Sequence, residues 1–157
     1  GAAQFLDAVT FPTAEPAVMR PERTFWEKAT AIHVFCAQGA FRGGDRFARH
    51  WHDVTRLDAS GFADAAIADS ELARAVADHK SVFFAEKNLH GELINYHAAV
   101  AGELQLVPDD DALAKLAADY QQMVDDGLFL DDAEPFEALL ERCRAIQAKA
   151  NAIRSQK

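Results

Sequence analysis

The sequence predicts a mainly α-helical bundle with a short extended N-terminal segment. Apolar residues recur at intervals of three and four over most of the chain, which is the periodicity of amphipathic helices. Half of the 157 residues are hydrophobic and 26% are charged, so the chain can bury a sizeable core. Pro12, Pro16 and Pro21 favour extended or turn backbone at the start. We therefore expect an extended segment over residues 1–20 and a helical domain over residues 21–157.

The extended segment contains two runs that could form strands, QFLDAVTF and AVM. The rest of the chain has no strand-rich region with which they could pair, and an isolated hairpin is marginally stable in water. The chain also begins with Gly1-Ala2-Ala3 and no initiator Met. We therefore expect this segment to be the remnant of a larger sheet, and the chain to be part of a longer protein.

The first helix is predicted over ERTFWEKATAIHVFCAQ, because Pro21 suits a first helical turn and Gly39 suits a helix end. Its core-facing side is identified by apolar residues at helical spacing. These are Phe25, Ala29, Ile32 and Cys36. Trp26, beside them, and Trp51, in the next helix, are predicted to be core anchors rather than platforms for stacking bases.

The second helix is predicted to follow Asp45, which is a good N-cap residue. One stripe is apolar, namely Phe47, Trp51, Val54 and Leu57. Another stripe gathers polar and charged residues at spacings that place them on one helix face. These are Arg46, Arg49, His50, Asp53 and Arg56. This concentration of arginine and imidazole is unusual in a chain whose net charge is -9.

Three more helical segments follow. The first, ELARAVADHKSVFFAEK, is predicted to be capped by Asp69 or Ser70, with Leu72, Val76, His79 and Phe83 buried. The others are ALAKLAADYQQMV and EPFEALLERCRAIQAKANAI. The two cysteines, Cys36 and Cys143, lie far apart in helical patterns and form no Cys-x-x-Cys pair, so we expect reduced thiols in a cytoplasmic protein.

Positive charge is concentrated in residues 20–56. They contain seven basic and four acidic side chains, a net charge of +3, whereas the other residues carry a net charge of -12. Because arginine side chains match the geometry of phosphate and carboxylate groups, we expect a local anion site here. The remaining surface is too acidic to attract nucleic acid broadly.

The same residues allow three other interpretations. A metal site is not expected, because His50 and His52 diverge around a helix and the spacing matches no strong zinc signature. Arg46 and His52 resemble the Arg-x(4–6)-His motif of HEPN domains, helical proteins that often cleave RNA. A third interpretation is a non-catalytic module that binds a basic partner through its acidic surface.

Two segments taken in order, PERTFWEKATAIH and RHWHDVTRL, resemble the C-terminal half of the AbiEii/AbiGii toxin-type nucleotidyltransferases. The resemblance continues more weakly through HKSVFF, GELQLVP and LAADYQQM to PFEALLERCRAIQAKAN. It implies the C-terminal part of a nucleotidyltransferase-fold toxin of a toxin–antitoxin or phage-defence system. Such proteins transfer a nucleotide from a nucleoside triphosphate to RNA, including tRNA, and a cognate antitoxin is the implied protein partner.

The resemblance also implies functional residues. Lys28 and Asp53 fall on catalytic positions of the family, and Arg46, Arg49 and His50 fall near the nucleotide. The family's first motif, a Gly-Ser or Gly-Gly-Thr turn with paired aspartates that hold Mg²⁺, does not occur in this sequence. Since phosphoryl transfer depends on metal to neutralise developing charge, we expect this chain to bind triphosphate but not to transfer nucleotide alone, and to hold no Mg²⁺ by itself.

Overall fold

The computed structural model describes residues 20–39, 47–128 and 133–152. Over these residues the chain forms a bundle of helices, which confirms the predicted fold class. In chain order the helices are α1 (Pro21–Gln38), α2 (Arg49–Ala59), α3 (Phe62–Ala68), α4 (Ser70–Phe83), α5 (Tyr96–Ala99), α6 (Asp110–Asp125) and α7 (Phe136–Ala152). The predicted extended segment lies outside the described residues except for Arg20.

Helix α1 is the central element, because it contacts α2, α3, α4 and α5. It begins at Pro21 and is closed by Gly39, whose φ of 66° is a left-handed conformation that favours glycine. Phe25, Ala29 and Ile32 are fully buried, as their spacing predicts. On the far side of α2 lies α7, which also packs against α6.

Both tryptophans are core anchors, as predicted. Trp26 donates a hydrogen bond from Nε1 to the carbonyl of Ala66 at 3.0 Å, which joins α1 to α3. Trp51 is fully buried and donates from Nε1 to the carbonyl of Leu106 at 2.7 Å. Each indole therefore combines a large apolar surface with a satisfied polar atom.

Residues 103–107 form a segment without regular secondary structure, and no strand among the described residues lies beside it. Their backbone groups bond instead to side chains, chiefly two amides one turn apart on α7. Asn151 accepts from the Leu104 amide and donates to its carbonyl, at 2.8 and 2.9 Å, while Gln147 accepts from the Leu106 amide at 2.7 Å. Because buried backbone groups need partners, these side chains take the place of a sheet.

The predicted burial of α4 is wrong for two of four residues. The helix is capped by Asp69, whose carboxylate accepts from the Leu72 amide at 3.0 Å, as predicted. However, His79 is exposed and Phe83 is 68% exposed. The buried stripe contains the smaller residues Ala73, Val76 and Ala77, because that side of α4 faces its neighbours in the bundle.

The cysteines agree with the expected reduced thiols. Cys143 is buried and Cys36 is partly buried, and neither forms a disulfide. Burial raises the pKa of Cys143 to about 12 and also raises the pKa of Cys36, so both thiols stay protonated near neutral pH. Separately, no helix among the described residues is long and apolar enough to cross a membrane.

Candidate functional site

Lys28 and Asp53 meet between α1 and α2. The Lys28 Nζ lies 3.1 Å from Asp53 Oδ2, and the two side chains are 27% and 29% exposed. The pair therefore joins two adjacent helices and remains open to solvent. An ion pair this accessible contributes about 0–1 kcal/mol to stability, so an incoming anion can displace it at little cost.

His50 is the third member of this group, which we call the Lys28 cluster (Lys28, His50 and Asp53). Burial and the neighbouring ammonium groups of Lys28 and Lys80 lower the pKa of His50. Its Nδ1 is buried and has no hydrogen-bond partner among the described residues. The lowered pKa favours a neutral imidazole beside the Lys28 ammonium near neutral pH.

A second histidine of lowered pKa, His33, gives the folded chain a defined pH dependence. Its Nδ1 accepts from the Gln105 amide at 3.0 Å, which requires that nitrogen to be unprotonated, and burial lowers its pKa. Both His33 and His50 therefore bind protons less readily in the folded chain than in the unfolded chain. The unfolded state gains protons as pH falls through the ordinary histidine pKa of about 6.5.

We accordingly expect the free energy of unfolding to fall as pH decreases from about 7.5 to about 5.5. Urea titrations at several pH values across this range give the free energy of unfolding at each pH. This free energy should depend less steeply on pH in the His33→Gln, His50→Gln double variant. His90→Gln, at an exposed position, is the control and should retain the original slope. Equal slopes for the double variant and the unsubstituted chain would contradict the prediction.

The arginines of the second helix do not share the environment of His50. Helix α2 begins at Arg49 and its N-cap residue is Ala48, three positions after the predicted cap at Asp45. Asp45 and Arg46 lie outside the described residues. Arg49 and Arg56 are exposed, whereas His50 and Asp53 turn towards α1. The assignments of Arg46 and Arg49 to nucleotide binding stay predictions.

A neighbouring ionic group, missed in the sequence, links α1 to α4. The Glu27 carboxylate lies 3.4 Å from Arg23 and 3.5 Å from Lys80 Nζ. Lys80 also donates to the Glu27 backbone carbonyl at 3.4 Å, and its side chain is only 12% exposed. We call Arg23, Glu27 and Lys80 the Glu27 group. The sequence indicates only the part of this group within α1, through the i, i+4 spacing of Arg23 and Glu27.

Asp119 was also missed, and it fixes the start of α2 from a distance. It is 8% exposed on α6, and its Oδ2 accepts from the Ala48 amide at 2.7 Å. A carboxylate at this point satisfies an amide just before the helix and interacts favourably with the helix dipole. The signal was present in α6, because Asp119 interrupts the apolar stripe of Leu116 and Met123.

The HEPN-like alternative finds no support in the position of His52. Its side chain is 9% exposed, on the buried side of α2, and its Nδ1 is buried. A histidine that acts on RNA must reach the scissile phosphate, so this position does not suit acid–base cleavage. Arg46, the other residue of that motif, lies outside the described residues.

Comparison with known families gives a match over most of the chain. The family described as "Nucleotidyl transferase AbiEii toxin, Type IV TA system" matches residues 2–142. No curated protein and no solved structure matches the chain. The matched range contains the Lys28 cluster, the Glu27 group and Asp119.

Proposed function

Because the chain belongs to the AbiEii nucleotidyltransferase toxin family of type IV toxin–antitoxin systems, we propose that its helical bundle binds a nucleoside triphosphate, the nucleotide donor in nucleotidyl transfer. In this proposal Lys28 holds a phosphate oxygen. Asp53 orients Lys28 or the acceptor hydroxyl, and His50, Arg49 and Arg46 lie around the nucleotide. The acceptor is RNA, such as tRNA, and the protein acts in the cytoplasm with a cognate antitoxin as its partner.

The observation that carries this proposal is the 3.1 Å contact between Lys28 and Asp53. They lie 25 positions apart in the sequence, on two helices, yet they meet at a partly exposed position. An ammonium is a suitable point charge for a triphosphate oxygen, and an aspartate beside it can orient the hydroxyl that attacks. The net charge of +3 over residues 20–56 supports attraction of an anion to this region.

The described residues offer no preformed site for the Mg²⁺ that the family resemblance implies. They contain no group of three or more His, Cys, Asp or Glu side chains that could hold a metal ion. Asp53, the carboxylate of the Lys28 cluster, is already paired with an ammonium. Magnesium prefers several oxygen ligands in octahedral geometry. We therefore assign this chain triphosphate binding and derive no metal-dependent step from its residues.

The test is a calorimetric titration of the chain with each of the four ribonucleoside triphosphates at moderate salt. Lys28→Met removes the ammonium but keeps the length of the side chain, and it should weaken binding about tenfold or more, as expected for loss of a charge-assisted contact. Lys87→Met, which removes an exposed lysine from the loop after α4, is the matched control and should bind as the original chain does.

The same titration separates this proposal from a purely partner-binding module. Such a module has no reason to bind triphosphate through Lys28. Equal affinities of the Lys28→Met and Lys87→Met variants would overturn the proposed role of Lys28, and a chain that binds none of the four nucleotides would overturn the proposed function itself.

A further inference from the structure

Lys80 brings a second ammonium to the neighbourhood of His50. It belongs to α4, whereas Lys28 and His50 belong to α1 and α2. It reaches α1 at Glu27, the residue next to Lys28, at 3.5 Å to the carboxylate and 3.4 Å to the backbone carbonyl. The ammonium groups of Lys28 and Lys80 both act on the imidazole of His50. Three helices therefore contribute charged groups to one small region.

Among the described residues of the Lys28 cluster and the Glu27 group, the charges do not balance. Arg23, Lys28 and Lys80 contribute three positive charges, whereas Glu27 and Asp53 contribute two negative charges. All five side chains are between 12% and 31% exposed, so they are partly withdrawn from water. A partly buried positive charge is costly unless an anion compensates it. The excess of one positive charge suits a bound anion.

We propose that Lys80 is a second ammonium ligand of the triphosphate and that Glu27 competes with the triphosphate for it. This inference rests on the proposed function of the Lys28 cluster. A triphosphate carries several negative charges spread over three phosphorus centres, which one ammonium cannot compensate. The flexible four-carbon stem of Lys80 allows its Nζ to move from the Glu27 carboxylate to a phosphate oxygen.

In this proposal Glu27 lowers the affinity of the chain for triphosphate. Before the nucleotide binds, its carboxylate is shared between Arg23 and Lys80, and this sharing compensates the buried ammonium. When a phosphate takes over Lys80, Glu27 keeps Arg23 as its partner and is not left alone. The triphosphate must therefore overcome the Lys80–Glu27 contact, and its affinity is lower than the cations alone would give.

Two neutral variants separate this role from an ordinary tie between helices. If the Lys80–Glu27 contact only joins α1 to α4, then Lys80→Met and Glu27→Gln break the same contact and change affinity in the same direction. If Lys80 binds phosphate and Glu27 competes, the two variants act in opposite directions. We expect Lys80→Met to weaken triphosphate binding about tenfold and Glu27→Gln to tighten it about threefold to fivefold.

The probes are the ribonucleoside triphosphate that the unsubstituted chain binds best and inorganic tripolyphosphate, both titrated without divalent metal. Glu22→Gln, in the first turn of α1, is the control for Glu27, and Lys87→Met is the control for Lys80. Circular dichroism shows which variants fold. Lys80→Arg, which keeps the charge, should retain affinity within about threefold. If Lys80→Met is unfolded, the direction of the Glu27→Gln effect decides between the two roles.

The results distinguish the inference from the proposed function. Opposite effects of Glu27→Gln and Lys80→Met support the inference, as does tighter binding by Glu27→Gln alone. Loss of binding in Lys28→Met combined with unchanged affinity in Lys80→Met overturns the role of Lys80 alone. A tenfold loss in Lys80→Arg or weaker binding by Glu27→Gln also overturns it. No triphosphate binding by the unsubstituted chain overturns both.

Discussion

Substitution of Trp51 by Ala is expected to lower the free energy of unfolding by about 3–5 kcal/mol. Trp51 is fully buried and packs edge-on against Phe35, with the ring centroids 5.3 Å apart. Its Nε1 donates to the Leu106 carbonyl at 2.7 Å. The substitution removes the largest anchor of α2, leaves a cavity, and leaves a buried carbonyl without this donor. Since domains of this size have a total free energy of unfolding of about 5–15 kcal/mol, the substitution should remove a large fraction of the stability of the fold.

Urea unfolding followed by circular dichroism measures this effect, and two further variants interpret it. Trp51→Phe retains most of the apolar surface but loses the hydrogen bond, so it should cost less, about 1–3 kcal/mol. Phe83→Ala removes an aromatic ring that is 68% exposed and should change stability by no more than about 0.5 kcal/mol. A loss below about 1 kcal/mol for Trp51→Ala would contradict the assigned role of the indole.

The second large effect is expected at Asp119, where substitution by Ala should cost about 2–3 kcal/mol. The Ala48 amide would lose its carboxylate acceptor at 2.7 Å, and the start of α2 would lose its favourable charge. Because α2 carries His50 and Asp53, the Lys28 cluster should also lose its fixed geometry. We therefore expect weaker triphosphate binding together with the lower stability.

Asp119→Asn tests the origin of this effect, because it retains an oxygen acceptor and removes the charge. It should lose less stability than Asp119→Ala in the same urea experiment. Asp125→Ala, at an exposed position of the same helix, should differ from the unsubstituted chain by no more than about 0.5 kcal/mol. If Asp119→Ala and Asp125→Ala unfold at the same urea concentration, the bond to Ala48 has no stabilising role.

The fold could be predicted from sequence wherever local signals act alone. Pro21 and Gly39 mark the limits of α1 because one suits a first turn and the other a left-handed helix end. Helix α4 shows where this reasoning fails. The hydrophobic pattern predicted that the large residue Phe83 is buried. In the bundle the buried side of α4 contains the small residues Ala73 and Ala77 instead. Which stripe is buried depends on neighbouring helices, which local periodicity does not describe.

The candidate site could be predicted only in part. Lys28 and Asp53 followed from the resemblance of two short segments to a family, and the structure brings them into contact. Lys80 could not be found in this way, because its contact with Glu27 spans 53 positions of sequence and two helices. Asp119 is likewise 71 positions from Ala48. Such long-range polar contacts depend on tertiary packing. The sequence shows a carboxylate within the apolar stripe of α6 but not the amide that it meets.

The two side-chain amides on α7 have a practical consequence for work with shorter versions of this protein. The region shared with the family ends at residue 142, inside α7, whereas Gln147 and Asn151 follow it. A chain trimmed to the matched range would leave the Leu104 amide and carbonyl and the Leu106 amide without these side-chain partners. The side chains that stabilise residues 103–107 therefore extend beyond the matched range, and a shortened chain needs the whole of α7.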